Sequence, residues 1–498
     1  MSFLNKKYSL HYLLQTTLCL LLFLLPWQTI WITKEQFFNG SKWEYGTLGF
    51  YATQGLLWFC VILFITLTWQ QIKERKAAGT FHFAWTPERR FIIACAAFIG
   101  YVFLSTLWSI DRAVAWQHAI WIMEAFLLFF MIAAQTMTYG LRLTAYGFIS
   151  GTLIQSILGI WQFLTQSTFS STLLGLTAHP AWAAGTSIVS TINEGRWLRT
   201  YGAFPHPNML GGYLVMSLII VDLLLLKKQQ NTSYNDNRNP KSEIRNPKQI
   251  SKKQKILNFE YLNFDIVSNF VLRISDFIIL TALFFTFSRS AWLAAAIWIF
   301  TTAFENWKLL PAGKAGKTEN LSPIAYRLFL IGILTLIFSP LVFTRFHTTT
   351  ANETRSYTER ISGYGEAVSI ITQQPFVGVG IGNYTAKLHK INPTLPGYAY
   401  QPVHNVPLLS LSELGIFGIL LLVLAIASFI RFHVSRITYH VSIVKWYVLC
   451  GTCYVALTLF DHYLFSSHTG LLLTAVFFAL VPKLSTDHPH HSLDKAQL

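Results

Sequence analysis

The sequence predicts an all-α, polytopic membrane protein with about twelve transmembrane helices. Of its 498 residues, 53% are hydrophobic and only 12% charged, half the share of about 25% that a soluble globular chain carries. Many apolar runs approach the roughly 20 residues that cross a bilayer. These runs recur from Leu10 to Val481, which excludes a soluble enzyme on a single anchor.

Twelve apolar segments follow in order: 10–32, 46–69, 91–108, 116–134, 143–163, 208–226, 274–287, 290–304, 325–343, 405–430, 446–460 and 464–481. The first resembles a signal peptide, with Lys6 and Lys7 ahead of it, but "PWQTIWITK" stands where a small-residue cleavage site would be. It reads as an uncleaved first helix. With the N-terminus inside, the loops predicted to be cytoplasmic collect 27 of the 38 lysines and arginines. Both termini are therefore expected in the cytoplasm. The formal net charge of +16 becomes a topology signal, and nucleic acid has no place among the expected partners.

Basic stretches flank the pair 274–287 and 290–304 on both sides, so the pair should cross outward and return. Each arm is about 21 Å long at 1.5 Å per residue. The tip, Ser288-Arg289-Ser290, should lie just below the outer surface. Loop 227–273 is polar, repeats Asn-Pro-Lys and reads as a disordered cytoplasmic insertion. Segment 344–404 reads as external and helical. Ile361, Tyr364, Val368 and Ile371 recur at helical spacing, and a glycine-rich "PFVGVGIGNY" follows. The five cysteines (Cys19, Cys60, Cys95, Cys450, Cys453) lie in or beside apolar runs. Cys450-x-x-Cys453 reads as packing, with no disulfide framework and no zinc site.

Helices that run inward point their N-termini outward, each with free N–H groups and about half a positive charge. Three are preceded by polar clusters: Arg199 with His206-Pro207-Asn208, Arg289 with Ser290 as a cap, and His404-Asn405 with Pro407. Proline suits such starts because its missing N–H costs nothing there. Cations and helix N-termini at one depth suit a phosphate or diphosphate. An arginine flanked by "LFFTFS" and "SAWLAAAIW" costs several kcal/mol in hydrocarbon unless it faces a polar cavity. Snorkelling is the alternative for Arg289. An ordinary loop arginine is the alternative for Arg199, and a capping or surface histidine for His404. Histidine suits a general base at neutral pH. With no Asp-x-Asp motif and no metal-spaced carboxylates, the arginines would neutralise charge without a metal or other cofactor.

These residues carry a resemblance to the O-antigen ligase and polymerase family of bacterial inner-membrane glycosyltransferases. "RTYGAFPHPNMLGGYL", "TFSRSAWLA", the run from Arg360 through "QPFVGVGIGNY", and "HNVPLLSLSELGIFG" match in order and in placement. The resemblance covers 195–425 apart from loop 227–273, leaving 1–194 and 426–498 as flanking helices. It implies a GT-C-like bundle facing the periplasm. Such a bundle would move a glycan from undecaprenyl diphosphate to a hydroxyl on lipid A core, another glycan or a protein, without metal. Carried over, Arg199 and Arg289 hold the diphosphate and His404 is the base or acceptor-orienting group. His206, Asn208, Ser290, Arg360, Asn405 and Glu413 stand beside them as substrate-binding candidates, with the roles of Arg360 and Glu413 open. Tyr364 stands where relatives carry tryptophan. A polymerase is the first rival. A lipid flippase is the more distant one, disfavoured by inner helix halves that look nearly uncharged.

Overall fold

The computed structural model describes residues 2–79, 86–135, 139–191, 195–236, 269–308, 322–347, 351–434 and 441–485. The elements follow in chain order. Helix α1 (Ser2–Leu24) stops before Pro26, and the chain then forms strand β1 (Ile30–Lys34), β2 (Phe37–Phe38), β3 (Ser41–Lys42) and β4 (Leu48–Tyr51). Next come α2 (Ala52–Ala77), α3 (Pro87–Ser105), α4 (Arg112–Ala133), α5 (Tyr139–Thr165), β5 (Ile188–Thr191) and β6 (Gly195–Leu198). The second half holds α6 (Pro207–Asp236), α7 (Asn269–Phe285), α8 (Arg289–Lys308), α9 (Ser322–Ile337), α10 (Ser339–Phe346), α11 (Ala351–Gln373) and α12 (Tyr384–Ile391). It closes with α13 (Val406–Val434), α14 (Val441–Phe460), the one-turn α15 (Tyr463–Ser466) and α16 (His468–Ser485).

Each predicted apolar segment is largely helical, although 10–32 runs on into β1 and 325–343 and 464–481 each break into two helices, and the count of about twelve spans is not reached. Among the described residues five helices are long and apolar enough to cross a membrane, or six if α9 and α10, bent by 91°, form one broken span. The rest are shorter or, like α3 with Glu88, Arg89 and Arg90, carry charge at an end. The six strands make three two-stranded antiparallel sheets that the sequence did not announce. Residues 227–236 prolong α6, and the rest of the predicted insertion up to 268 lies outside the described residues.

Helix α6 runs through the middle, with 83% of its apolar stretch buried against 28% for α13. It packs on α5, α7, α8 and α16, while α13 pairs with α3 at the rim. Helix starts follow simple capping chemistry. Pro207 opens α6, the Asp111 carboxylate accepts from Val114 N (3.1 Å) at α4, and the Asn405 amide oxygen accepts from Leu408 N (2.9 Å) at α13.

The loops of one end form a second, smaller core around Trp43, Val114, Ala367, Ile370, Tyr384, Tyr400 and Val403. Trp43 Nε1 donates to Thr385 (3.2 Å) within it, and Asp111 N at the start of α4 donates to Asn383 (2.6 Å), pinning it to the bundle. Segment 344–404 is helical as expected, but the packed face of α11 is Gly363, Ala367 and Ile370. Ile361 and Val368 are exposed and Tyr364 and Ile371 half-buried. Of the apolar stripe, Ile361 and Tyr364 line the cavity described below, and Tyr364 also packs on this core.

The expectation of nearly uncharged inner helix halves fails. Asp222 of α6, Asp276 of α7 and Arg327 of α9 are buried together away from the loop-rich end. Such charges persist in an apolar interior only when paired. Hydropathy averaged over a segment hides them.

Candidate functional site

At the loop-rich end the α7–α8 hairpin turns over Thr286, Phe287 and Ser288. Phe287 is fully buried in the left-handed region at φ 47°, a conformation that a bulky residue adopts only when its surroundings hold it. The holding groups are cations. Arg199 Nε donates to Thr286 O (2.7 Å) and Arg345 Nε to Phe287 O (3.0 Å). Thr200 N donates to Phe285 O (3.2 Å). This tip sets where Arg289 sits, at the first position of α8. Ser290 lies inside the first turn instead of capping it, its Oγ 3.3 Å from Ser288 Oγ.

From Arg199 a line of side chains runs to His404. The Arg199 guanidinium donates to Asn208 Oδ1 (2.7 Å), Asn208 Nδ2 donates to Asp461 Oδ2 (2.8 Å), and Asp461 Oδ1 lies 3.5 Å from His404 Nδ1. The last contact is an ion-pair distance without a closed hydrogen bond, since His404 Nδ1 lacks an aligned partner. His462 N donates to the same Oδ1 (2.9 Å), and the His462 ring lies 5.0 Å from that of His404. His206 accepts from Asn208 N at Nδ1 (3.1 Å), and its Nε2 meets Ser187 Oγ at 2.8 Å. Three histidines thus surround one carboxylate, and only His404 turns a ring nitrogen toward it.

The electrostatics follow from that ratio. Burial works to raise the Asp461 carboxyl, but the His404 contact and charge, with His462 and His206, hold it well below the usual range. Burial, then the charge of His404, pushes His462 down to about 3. Burial and the charge of Arg199 push His206 down as well. Neutral His206 and His462 therefore flank an ionised aspartate, and His404 is the member left partly open, its side chain 32% exposed.

Beside this line is a cavity of about 300 Å³ lined by Arg289, Ser290, Leu293, Tyr357, Arg360, Ile361, Tyr364 and Phe460. Tyr357, Arg360, Ile361 and Tyr364 come from one face of α11 at helical spacing. Phe460 precedes Asp461 in the chain, so cavity and line adjoin, and the Arg360 charge acts on His462. The walls are largely apolar, and the charged groups among them, Arg289 and Arg360, are cationic.

The structure thus joins Arg199, His206, Asn208 and His404 directly, and Arg289, Ser290 and Arg360 around the adjoining cavity. Two candidates serve the scaffold. Asn405 caps α13 and donates from Nδ2 to Leu459 O (3.1 Å), fixing the loop beside His404. Glu413 is buried and accepts from Gly382 N (2.9 Å) and Tyr384 N (3.2 Å), anchoring the glycine-rich turn. That turn needs its glycines. Gly380 and Gly382 have φ of 91° and 70°, and a Cβ would lie 1.9 Å from Ser109 Oγ and 2.5 Å from His118 Nδ1.

Sequence reading missed Asp461 and His462. The signal was present, an Asp-His pair at the turn between two apolar segments. His404, Asp461 and His462 place three ligand atoms within 4.8 Å, close enough for a metal ion. Asp461 Oδ2 and Oδ1 accept from Asn208 and His462 N, and His462 Nδ1 meets Ser466 Oγ at 2.6 Å. His404 Nδ1 has no aligned partner and His462 Nε2 lies 3.5 Å from the Tyr45 hydroxyl.

Among known proteins, residues 274–423 match the family model described as O-Antigen ligase. The match spans Arg289, Arg360, His404 and Glu413 and stops short of Arg199 and Asp461. It bears out the resemblance read from the motifs and supports the coarse class, a membrane-associated glycosyl-transfer enzyme of the O-antigen ligase or related polymerase kind. No curated protein matches the chain.

Proposed function

We propose that the protein transfers a glycan from a polyprenyl diphosphate carrier, undecaprenyl diphosphate, to an acceptor hydroxyl by inversion and without a metal. The observation that carries this reading is the apolar cavity with Arg289 and Arg360 in its wall, adjoining the Arg199–Asn208–Asp461–His404 line. An apolar wall with cations suits a long prenyl chain bearing an anionic head. Two guanidinium groups suit a diphosphate because each can grip it with two parallel N–H donors.

In this reading the acceptor O–H gives its proton to His404 Nε2 as the oxygen attacks the anomeric carbon. The bond from that carbon to the diphosphate oxygen breaks, and Arg289 and Arg360 take up the charge that develops on the leaving group. Asp461 faces Nδ1, which keeps the proton there and Nε2 free to accept. Arg199, buried and bonded to Thr286 and Asn208, fixes the hairpin tip and the aspartate together. The active end faces the periplasm, with both termini and loop 227–273 in the cytoplasm. The family match fits a ligase and a related polymerase alike; the ligase is the reading proposed and the polymerase its rival.

The test is reconstituted transfer from a polyprenyl-diphosphate-linked glycan, reading released polyprenyl diphosphate and glycosylated acceptor in the presence of a chelator. The expected rate is unaffected by the chelator. His404→Ala should lose about 10²–10⁴ in rate, the worth of a general base, while still binding the lipid diphosphate. Chelator-sensitive transfer, or a His404→Ala enzyme at the normal rate, overturns the proposal.

A further inference from the structure

Far from the cavity, α6, α7 and α9 meet at a buried ion cluster that the chemistry above does not use. Arg327 Nε donates to Asp276 Oδ2 (2.9 Å) and Nη2 to Asp276 Oδ1 (2.6 Å). Its Nη1 donates to Asp222 Oδ2 (3.0 Å), and Nη2 reaches Asp222 Oδ1 as well. Trp298 Nε1 of α8 completes the set by donating to Asp222 Oδ2 (2.6 Å). Arg327 is 3% exposed and Asp276 fully buried.

The same elements build the site at their other ends. Helix α6 begins with Pro207 and Asn208, about 21 Å from Asp222 at 1.5 Å per residue. Helix α7 leads from Asp276 to Thr286 and Phe287, the carbonyls that Arg199 and Arg345 hold. Helix α9 leads from Arg327 through the 91° bend into α10, whose Arg345 carbonyl accepts from Arg289 Nη1 (3.4 Å). Helix α8 carries Arg289 at its first position and Trp298 near its middle. Each of the four helices is tied once at the cluster and once at the site.

We propose that Asp222, Arg327 and Asp276 are positioning residues for the transfer reaction: the cluster locks the register of α6, α7, α8 and α9 and so sets the spacing of the arginine site. An apolar contact lets helices slide or rotate by fractions of a turn, because hydrophobic attraction has no direction. A guanidinium gripping two carboxylates does not, because its donors form a planar fork. The cluster adds little to stability, since a buried ion triad is often no more stable than apolar residues of the same volume. Its worth is geometric, and a 1 Å error at a reacting centre can cost about 10²-fold in rate.

This inference rests on the proposed reading of the site, and the experiment separates the two. The triple variant Asp222→Leu/Arg327→Met/Asp276→Leu removes every charge at once and leaves no stranded ion, only the Trp298 indole N–H without its acceptor, so it should accumulate and melt only slightly below wild type. Binding of undecaprenyl diphosphate and the transfer rate are measured in nanodiscs. Amide exchange is followed at 199–208 and 285–290, with 384–391 as the control. The expected result is transfer reduced about 10²-fold, weaker diphosphate binding, and faster exchange at the two site segments but not at the control. A single Arg327→Lys should fall between, since an ammonium cannot bridge both carboxylates. If the triple variant itself fails to accumulate, Arg327→Lys and Asp276→Asn, each of which keeps a polar partner in place, carry the same measurements. Wild-type transfer and exchange in any folded member overturn the inference. If Arg289→Ala binds the lipid diphosphate normally, the reading of the site has failed, whereas exchange at 199–208 and 285–290 still decides the mechanical link.

Discussion

Replacing Asp461 with asparagine keeps the volume and removes the charge, and the surrounding contacts fix what the amide can do. Asp461 accepts at both oxygens, Oδ2 from Asn208 Nδ2 (2.8 Å) and Oδ1 from His462 N (2.9 Å). An amide has one oxygen. If that oxygen takes the Oδ1 place, its NH2 meets the NH2 of Asn208. Asn208 cannot turn over in response, because its own oxygen is held by Arg199 at 2.7 Å. If the amide takes the other orientation, its NH2 meets His462 N–H and offers a donor to His404 Nδ1. His404 then carries its proton on Nε2, the tautomer that cannot accept one from a hydroxyl. Either orientation leaves two donors facing each other in a buried place, at about 1–3 kcal/mol. The second also removes the base, worth about 10²–10⁴ in rate, or about 2.7–5.4 kcal/mol of barrier. Asp461→Asn should therefore cut the rate at saturating donor by at least about 10²-fold while donor affinity changes much less. Reconstituted transfer at several donor concentrations separates the two. An unchanged saturated rate, or a loss confined to donor affinity, would refute the dyad.

Two further outcomes follow from the same geometry. Arg289→Lys keeps the charge but not the fork, so donor binding should weaken by about tenfold or more, as measured by titration with undecaprenyl diphosphate; full affinity would show that charge alone suffices. His462 is pushed down to about 3 in the folded protein from an ordinary value of about 6.5. Below pH 6.5 the unfolded chain therefore binds the proton first. Its stabilising effect is complete above pH 6.5 and lost as pH falls, by about 2 kcal/mol at pH 5. Melting curves between pH 7 and 5 should be steeper in pH for wild type than for His462→Gln. Asp461 contributes nothing in that window, because its carboxyl is ionised in both states there.

The sequence made one kind of information legible and hid another. Apolar runs locate helices because burial is a local demand, so the twelve segments fall on helices, two of them broken into a pair, and Pro207 and Asn405 mark two starts. The arginines at 199 and 289 were conspicuous because an arginine beside an apolar run needs a reason. Asp461 and His462 gave no comparable signal. A carboxylate and a histidine at a turn are ordinary until the fold brings 208, 404 and 461 together across more than 250 positions of chain. The short strands were hidden for a related reason, since two-residue pairs such as Phe37–Phe38 with Ser41–Lys42 are selected by what they pack on, not by alternation along the chain.

The inner cluster shows where averaging misleads and why it matters for the rival readings. Asp222 stands in "IIVDLLLL", Asp276 in "ISDFIILT" and Arg327 in "AYRLFLIG", each a single charge in a window whose mean stays apolar. Taken singly, each would be an expensive defect in hydrocarbon. Taken together, they satisfy one another so fully that only the fold reveals them. A charged group in the inner half would ordinarily favour a path for a polar lipid through the bundle. Here the carboxylates and guanidinium are turned on one another and are 8% exposed or less. A flippase needs such groups open to a moving headgroup, and a clamp needs them closed. The burial of Asp222, Arg327 and Asp276 therefore supports a fixed scaffold with its chemistry at one end. The flippase reading loses the feature that would have served it best.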